Sequence, residues 1–154
     1  MRRRILVAFE RAEACADEIE QRRLLTFVII GGGPTGVELA GALTGLAKAA
    51  LARDFRHIDP TTARIIVVEA GPRLLPGFPA SLSEAAARAL TRLGVDIRLG
   101  ARVTGCDADG AMLGDERIAS RTVIWAAGVA ASPAAGAGSV SNPDMVTGSR
   151  SGRT

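Results

Sequence analysis

The chain has 154 residues, 47% hydrophobic and 23% charged, proportions that fit one globular domain with a buried core and exclude a fibrous chain. Its 19 basic and 16 acidic residues leave a net charge of +3 spread along the sequence, with no tyrosine, one tryptophan and four phenylalanines, so nucleic acid, which calls for a basic stripe with stacking aromatics, is set aside as a partner. No apolar run reaches the roughly 18 residues of a transmembrane segment, the arginine-rich start lacks a signal-peptide core, and Cys15 and Cys106 fit neither a disulfide framework nor a zinc site, which points to a reducing, cytoplasmic compartment.

In residues 1–23, Ile5, Leu6, Ala8, Phe9, Ala12, Cys15 and Ile19 recur at helical spacing among charges, predicting one lead-in helix with a solvated face. The run from Leu24 to Ile30 is apolar and β-branched, as in a strand buried on both faces of a parallel sheet. It stops at Gly31-Gly32-Gly33. Pro34 suits a first helical turn, and the small residues from Val37 to Ala50 continue the helix. A turn at Asp59-Pro60 leads to a second buried strand, Arg64 to Glu69. Ser81 and Glu84 read as a capping box for a helix whose apolar face is Leu82, Ala86, Ala89 or Leu90, and Leu93, stopped by Gly94.

Val95, Ile97 and Leu99 alternate as a third strand, and turn signals at Asp109-Gly110 and Gly114-Asp115 predict a small antiparallel β-meander. Thr122 to Trp125 is a last apolar strand, running into Ala126-Ala127-Gly128. Residues 134–154 turn to Gly, Ser, Ala and Asn, and a disordered tail is expected there. The fold class is therefore α/β: a Rossmann-like domain over 24–133, with a parallel sheet, helices and a meander.

Gly31-Gly32-Gly33-Pro34-Thr35-Gly36 is a G-x-G-x-x-G element lying between a buried strand and a helix, the context in which that spacing binds a dinucleotide. Gly31 permits the tight turn, Gly33 leaves room for a pyrophosphate, and Gly36 lets the helix pack against the strand. Backbone N–H groups at the helix start then face the phosphates. Glu69, at the end of the second strand, stands where a carboxylate accepts hydrogen bonds from the adenosine ribose, which favours NADH over NADPH. It follows Gly36 by 33 residues, longer than the usual ~20. Arg73, which could pair with a phosphate, follows a Gly-Pro step that leaves its direction open. Glu38 fits either a helix-dipole acid or a place near the nicotinamide. His57, without an acid, serine or cysteine at recognisable spacing, reads as a surface or packing residue. Cys106 reads as an inert, half-buried thiol and Trp125 as core.

The stretches FVIIGGGPTGVELAGAL, FRHIDP, RIIVVEAGPRLLPGFP and RTVIWAAGVAASP resemble the NADH-binding domain of type II NADH dehydrogenases, the flavin-dependent NADH:quinone oxidoreductases. The resemblance covers about Arg2 to Pro133. The glycine element alone is shared with other flavoproteins that have two dinucleotide domains; its combination with FRHIDP points to the type II enzymes. It implies that Gly31, Gly33 and Gly36 line the NADH pyrophosphate, that Glu38 lies near the nicotinamide, that Glu69 holds the ribose, and that Ala126, Ala127 and Gly128 form a loop close to the dinucleotide. It also implies a parent protein in which FAD takes hydride from NADH and passes electrons to a quinone, attached peripherally to the cytoplasmic face of a membrane. No glycine-rich FAD turn precedes Met1 and no second flavin motif follows Pro133, so a fragment inactive by itself is expected. Two other readings stand beside this one: a stand-alone NADH-binding module, and the NAD(P)H domain of a disulfide or ferredoxin reductase.

Overall fold

The computed structural model describes residues 2–50 and 54–128; the tail expected over 134–154 lies outside them. The chain opens with two helices where the sequence predicts one, α1 (Arg2–Glu13) and α2 (Glu18–Leu24). Asp17 caps α2 by accepting from the Ile19 N–H at 2.9 Å, and Gln21 reaches back from α2 to the carbonyls of Ala12 at 3.2 Å and Cys15 at 3.4 Å, closing the end of α1. Strand β1 (Thr26–Ile30) follows, buried throughout. Helix α3 (Pro34–Gly45) continues into a π turn, Leu46–Ala50, and a short 3₁₀ turn, Pro60–Thr62, leads into β2 (Arg64–Glu69). Then come α4 (Ala80–Arg92), β3 (Asp96–Leu99), the meander β4 (Val103–Asp107), β5 (Gly110–Leu113) and β6 (Glu116–Ala119), and last β7 (Thr122–Trp125).

The main sheet is parallel throughout, in the order β3-β2-β1-β7, and β4-β5-β6 form a separate antiparallel sheet. Alternation along β1 and β2 divides the core in two. Phe27, Ile29, Ile65 and Val67 face the helices, meeting Phe9, Ala40, Leu43 and Leu90. Val28, Ile30, Ile66 and Val68 face the meander, meeting Ala111 and Ile118. Burying each of these larger side chains contributes about 1.5–3 kcal/mol, and covering both faces is what the unbroken apolar runs require. Phe9 lies 5.5 Å from Phe27, centroid to centroid, so α1 belongs to the same core as the sheet.

The Ser81–Glu84 capping box does not form. Helix α4 starts two residues earlier, with Pro79 rather than Ser81 at its N-cap and no side-chain cap, while the buried Ser83 hydroxyl donates to the Leu74 carbonyl at 2.6 Å. The apolar face differs as well: Leu90 is buried, while Leu82 in the first turn and Leu93 at the C-cap are exposed. Gly94, at φ +86°, ends the helix as expected.

Candidate functional site

The glycine turn is shaped by backbone contacts. Gly31 sits at φ +111°, a region that favours glycine, and its N–H donates to the Val68 carbonyl at 2.8 Å. A Cβ placed on Gly31 would lie 2.5 Å from the Ala127 nitrogen, so the loop after β7 closes over the turn before any ligand is considered. The Ala126 N–H donates to the Ile30 carbonyl at 2.8 Å, fixing that loop to the end of β1. A Cβ on Gly36 would run into the Gly31 carbonyl oxygen, which gives the third glycine its reason: α3 starts against the turn itself. Gly33 differs from both, because nothing stands within 4 Å of a Cβ placed there. It is the N-cap of α3 and carries no side-chain cap, Pro34 occupies the first turn, and Thr35 is exposed beside it. Helix start and open space together suit a pyrophosphate.

Glu69 stands half-buried at the end of β2 and is tied into the turn. Its Oε2 accepts from the Gly32 N–H at 2.6 Å and its Oε1 from the Gly71 N–H at 2.7 Å. A carboxylate offers about four lone-pair directions, so two remain for ribose hydroxyls. Glu38 is exposed beyond the first turn of α3, which carries no acid, and, like Gly33, Pro34, Thr35 and Gly36, it does not line the cleft beside Gly31 and Glu69.

That cleft, about 410 Å³, opens at the carboxyl ends of β1, β2 and β7, and Gly31, Glu69, Arg102, Val103, Trp125 and Ala127 are among its walls, with Gly128 at one end. The edge of a parallel sheet beyond the carboxyl ends of its strands is where such folds bind ligands. Trp125 is not core: it is 62% exposed. It pairs with Ile30 at the last register position of β7, where the sheet has run out and the indole stands on the cleft wall. Its place at the end of a strand was the available signal. Arg102 and Val103, also missed, enter because the loop after β3 folds back, with the Ala101 N–H donating to the Glu69 carbonyl at 3.1 Å.

His57 is exposed as expected but has an acidic partner. Its Nδ1 lies 2.9 Å from Glu13 Oε1, and the same carboxylate accepts from the backbone N–H groups of Arg56, His57 and Ile58. Burial pushes the Glu13 carboxyl up, but these donors outweigh it and its pKa is lowered. The pair fastens α1 to the segment before β2, far from the cleft. Cys106 is exposed rather than half-buried. Desolvation of the sulfur and the charge of Asp107 push its thiol up, away from reactivity. Among the described residues no group of three or more His, Cys, Asp or Glu could hold a metal, and no helix is long and apolar enough to cross a membrane.

The sequence matches the pyridine nucleotide-disulphide oxidoreductase family over residues 4–142. It is 47% identical over 137 residues to the type II NADH:quinone oxidoreductase Ndh of Mycobacterium tuberculosis, covering 86% of this chain and 30% of that protein. Against NdhA, a second type II NADH:quinone oxidoreductase of the same organism, identity is 45% over 138 residues, covering 86% of this chain and 29% of that protein. These relatives agree with the resemblance read from the motifs, and the chain spans less than a third of their length. Among solved structures it is similar to NDH2 from Plasmodium falciparum in complex with NADH, with a TM-score of 0.73 and 20% identity over 81% of this chain and 27% of that one; this likeness is one of fold. With a glycine turn, a β2 acid and a parallel sheet at the places a nicotinamide dinucleotide requires, and a family match over most of its length, the chain belongs to the pyridine nucleotide-disulphide oxidoreductase family.

Proposed function

We propose that this chain is the NADH-binding unit of a type II NADH:quinone oxidoreductase. The observation that carries the reading is the junction of the open Gly33 position with the Glu69 carboxylate at one sheet edge. When bound, NADH supplies a hydride, which in the whole protein goes to FAD and onward to a quinone. What this chain's residues do is narrower. The first turn of α3 offers N–H groups to the pyrophosphate, Gly33 admits it, Glu69 takes the adenosine ribose, and the Ala126–Gly128 loop borders the dinucleotide. Glu38 is a candidate neighbour of the nicotinamide end.

Glu69 would meet the 2′-phosphate of NADPH as a like charge. Arg73 offers no relief, because its guanidinium donates to the Pro76 carbonyl at 2.9 Å within its own loop. Calorimetric titration of the purified chain should therefore show NADH binding at least tenfold more tightly than NADPH, and Glu69→Ser should shrink that ratio. Failure to bind NADH overturns the reading, and equal affinity for both cofactors, or a ratio unchanged in the variant, removes Glu69 as the ribose reader. The chain's single glycine-rich turn is used for NADH, so quinone reduction by the chain alone should not exceed that of a Gly33→Trp control. This unit would work in the cytoplasm or on the cytoplasmic face of a membrane.

A further inference from the structure

Glu69 has more partners than a ribose reader needs. One oxygen takes the Gly32 N–H at 2.6 Å and the other the Gly71 N–H at 2.7 Å. Both glycines leave room for it: a Cβ on Gly32 would stand 2.7 Å from Leu74 Cδ2 and 3.0 Å from Glu69 Cβ, and a Cβ on Gly71 would stand 3.1 Å from Glu69 Oε1. A backbone bond joins these two turns again, and another ties the turn after β2 to the end of β3. The Gly32 carbonyl accepts from the Leu75 N–H at 2.8 Å, and the Gly71 carbonyl accepts from the Gly100 N–H at 2.9 Å. Hydrogen bonds from backbone amides to a charged carboxylate are short and about twice as strong as neutral ones. Gly32 precedes the N-cap of α3, so whatever holds its amide also sets where the phosphate-facing amides begin.

We infer that Glu69 is a positioning residue for the pyrophosphate site: its carboxylate clamps the glycine turn to the turn after β2 and so holds the amides that meet the phosphates. The inference rests on the proposed NADH site and adds a role that does not depend on the ribose. An amide in place of the carboxylate keeps one acceptor but turns an NH₂ group toward a backbone N–H, so one bond is lost and two donors face each other. The glycine turn then shifts, and phosphate binding weakens whether or not ribose hydroxyls are present.

The test is a four-way calorimetric comparison at a temperature where all proteins are folded. Wild type and Glu69→Gln are each titrated with NADH and with an NADH analogue whose adenosine ribose lacks its 2′- and 3′-hydroxyls. A residue that only reads the ribose leaves the analogue's affinity the same in both proteins. The clamp predicts that the analogue binds Glu69→Gln about tenfold more weakly than wild type. Equal affinity of the analogue for the two proteins overturns the clamp while leaving the NADH site intact; no binding of NADH to wild type overturns the site itself. Should Glu69→Gln fail to fold, Gly71→Ala keeps the charge and crowds Oε1. It should weaken the analogue severalfold, and an unchanged affinity there overturns the clamp equally.

Discussion

The glycine turn at the head of α3 and the meander on the far side of the sheet are built by different physics. The turn is made of backbone: Gly31 pressed under Ala127, Gly36 against the Gly31 carbonyl, and one carboxylate binding two amides. The meander is held at its rim by ion pairs between exposed or half-buried side chains. Arg117 makes a two-pronged pair with Asp107 at 2.8 and 2.7 Å, and Arg121 joins Glu20 to Asp109. Asp96, behind it, is pushed up by burial, yet the guanidinium groups of Arg98 and Arg64 bring its pKa down. Side-chain identity can drift in the second kind of structure at little cost, because exposed pairs contribute weakly. A turn built from steric exclusion allows no such drift.

The comparison should break first at Gly36. Alanine there collides with the Gly31 carbonyl, so Gly36→Ala should lose about 2–4 kcal/mol in urea unfolding and bind NADH too weakly to measure. The same substitution at Gly33, where a Cβ meets nothing within 4 Å, should leave stability within about 0.5 kcal/mol of wild type while still weakening NADH. Equal stability losses at the two positions would contradict the distinction drawn between them.

Ser120 sharpens the contrast, because it joins the meander to the main sheet through a buried side chain. Its hydroxyl lies 2.5 Å from the Thr26 carbonyl oxygen and also accepts from the Thr122 N–H at 3.0 Å. Ser120→Ala orphans both and should cost about 1–3 kcal/mol, read by chemical denaturation, with NADH affinity unchanged.

The smallest effect belongs to the rim. The Arg117 guanidinium holds the Asp107 carboxyl at about 2, below its ordinary 3.8. A depressed acid contributes its stability fully above the ordinary value and loses it as pH falls through the lowered one. Arg117→Gln should therefore lower Tm slightly from neutral pH down to about 4, with the difference vanishing between about 4 and about 2. A gap that persists at the acid end would assign the loss to packing rather than charge.

This division also explains what could be read from the chain. Gly31 and Gly36 were legible because steric demands at a strand-to-helix turn admit few residues, Gly33 and Glu69 were legible as candidates only through their places in the motif and at the strand end, and the apolar runs of β1 and β2 announce strands covered on both faces. The break between α1 and α2 was not, since Ala14, Cys15 and Ala16 are compatible with helix and the stop comes from Gln21, reaching back from α2. Glu13 lies 43 to 45 residues from the amides it binds at Arg56 and Ile58, and Arg121 lies 101 from Glu20. No local spacing encodes such partners. Ser81 and Glu84 carry a capping pattern that Pro79, setting the helix start earlier, leaves unused.

Trp125 has an optical consequence. It is the chain's one tryptophan, and its indole, 62% exposed, already emits from a largely aqueous setting in the native protein. Unfolding will shift that emission little, and folding is better followed by circular dichroism. The same ring stands on the wall of the cleft that also holds Gly31 and Glu69, and the absorption of a reduced nicotinamide overlaps indole emission. If the proposed site takes NADH, a titration should quench the Trp125 emission, and the measurement needs no added label.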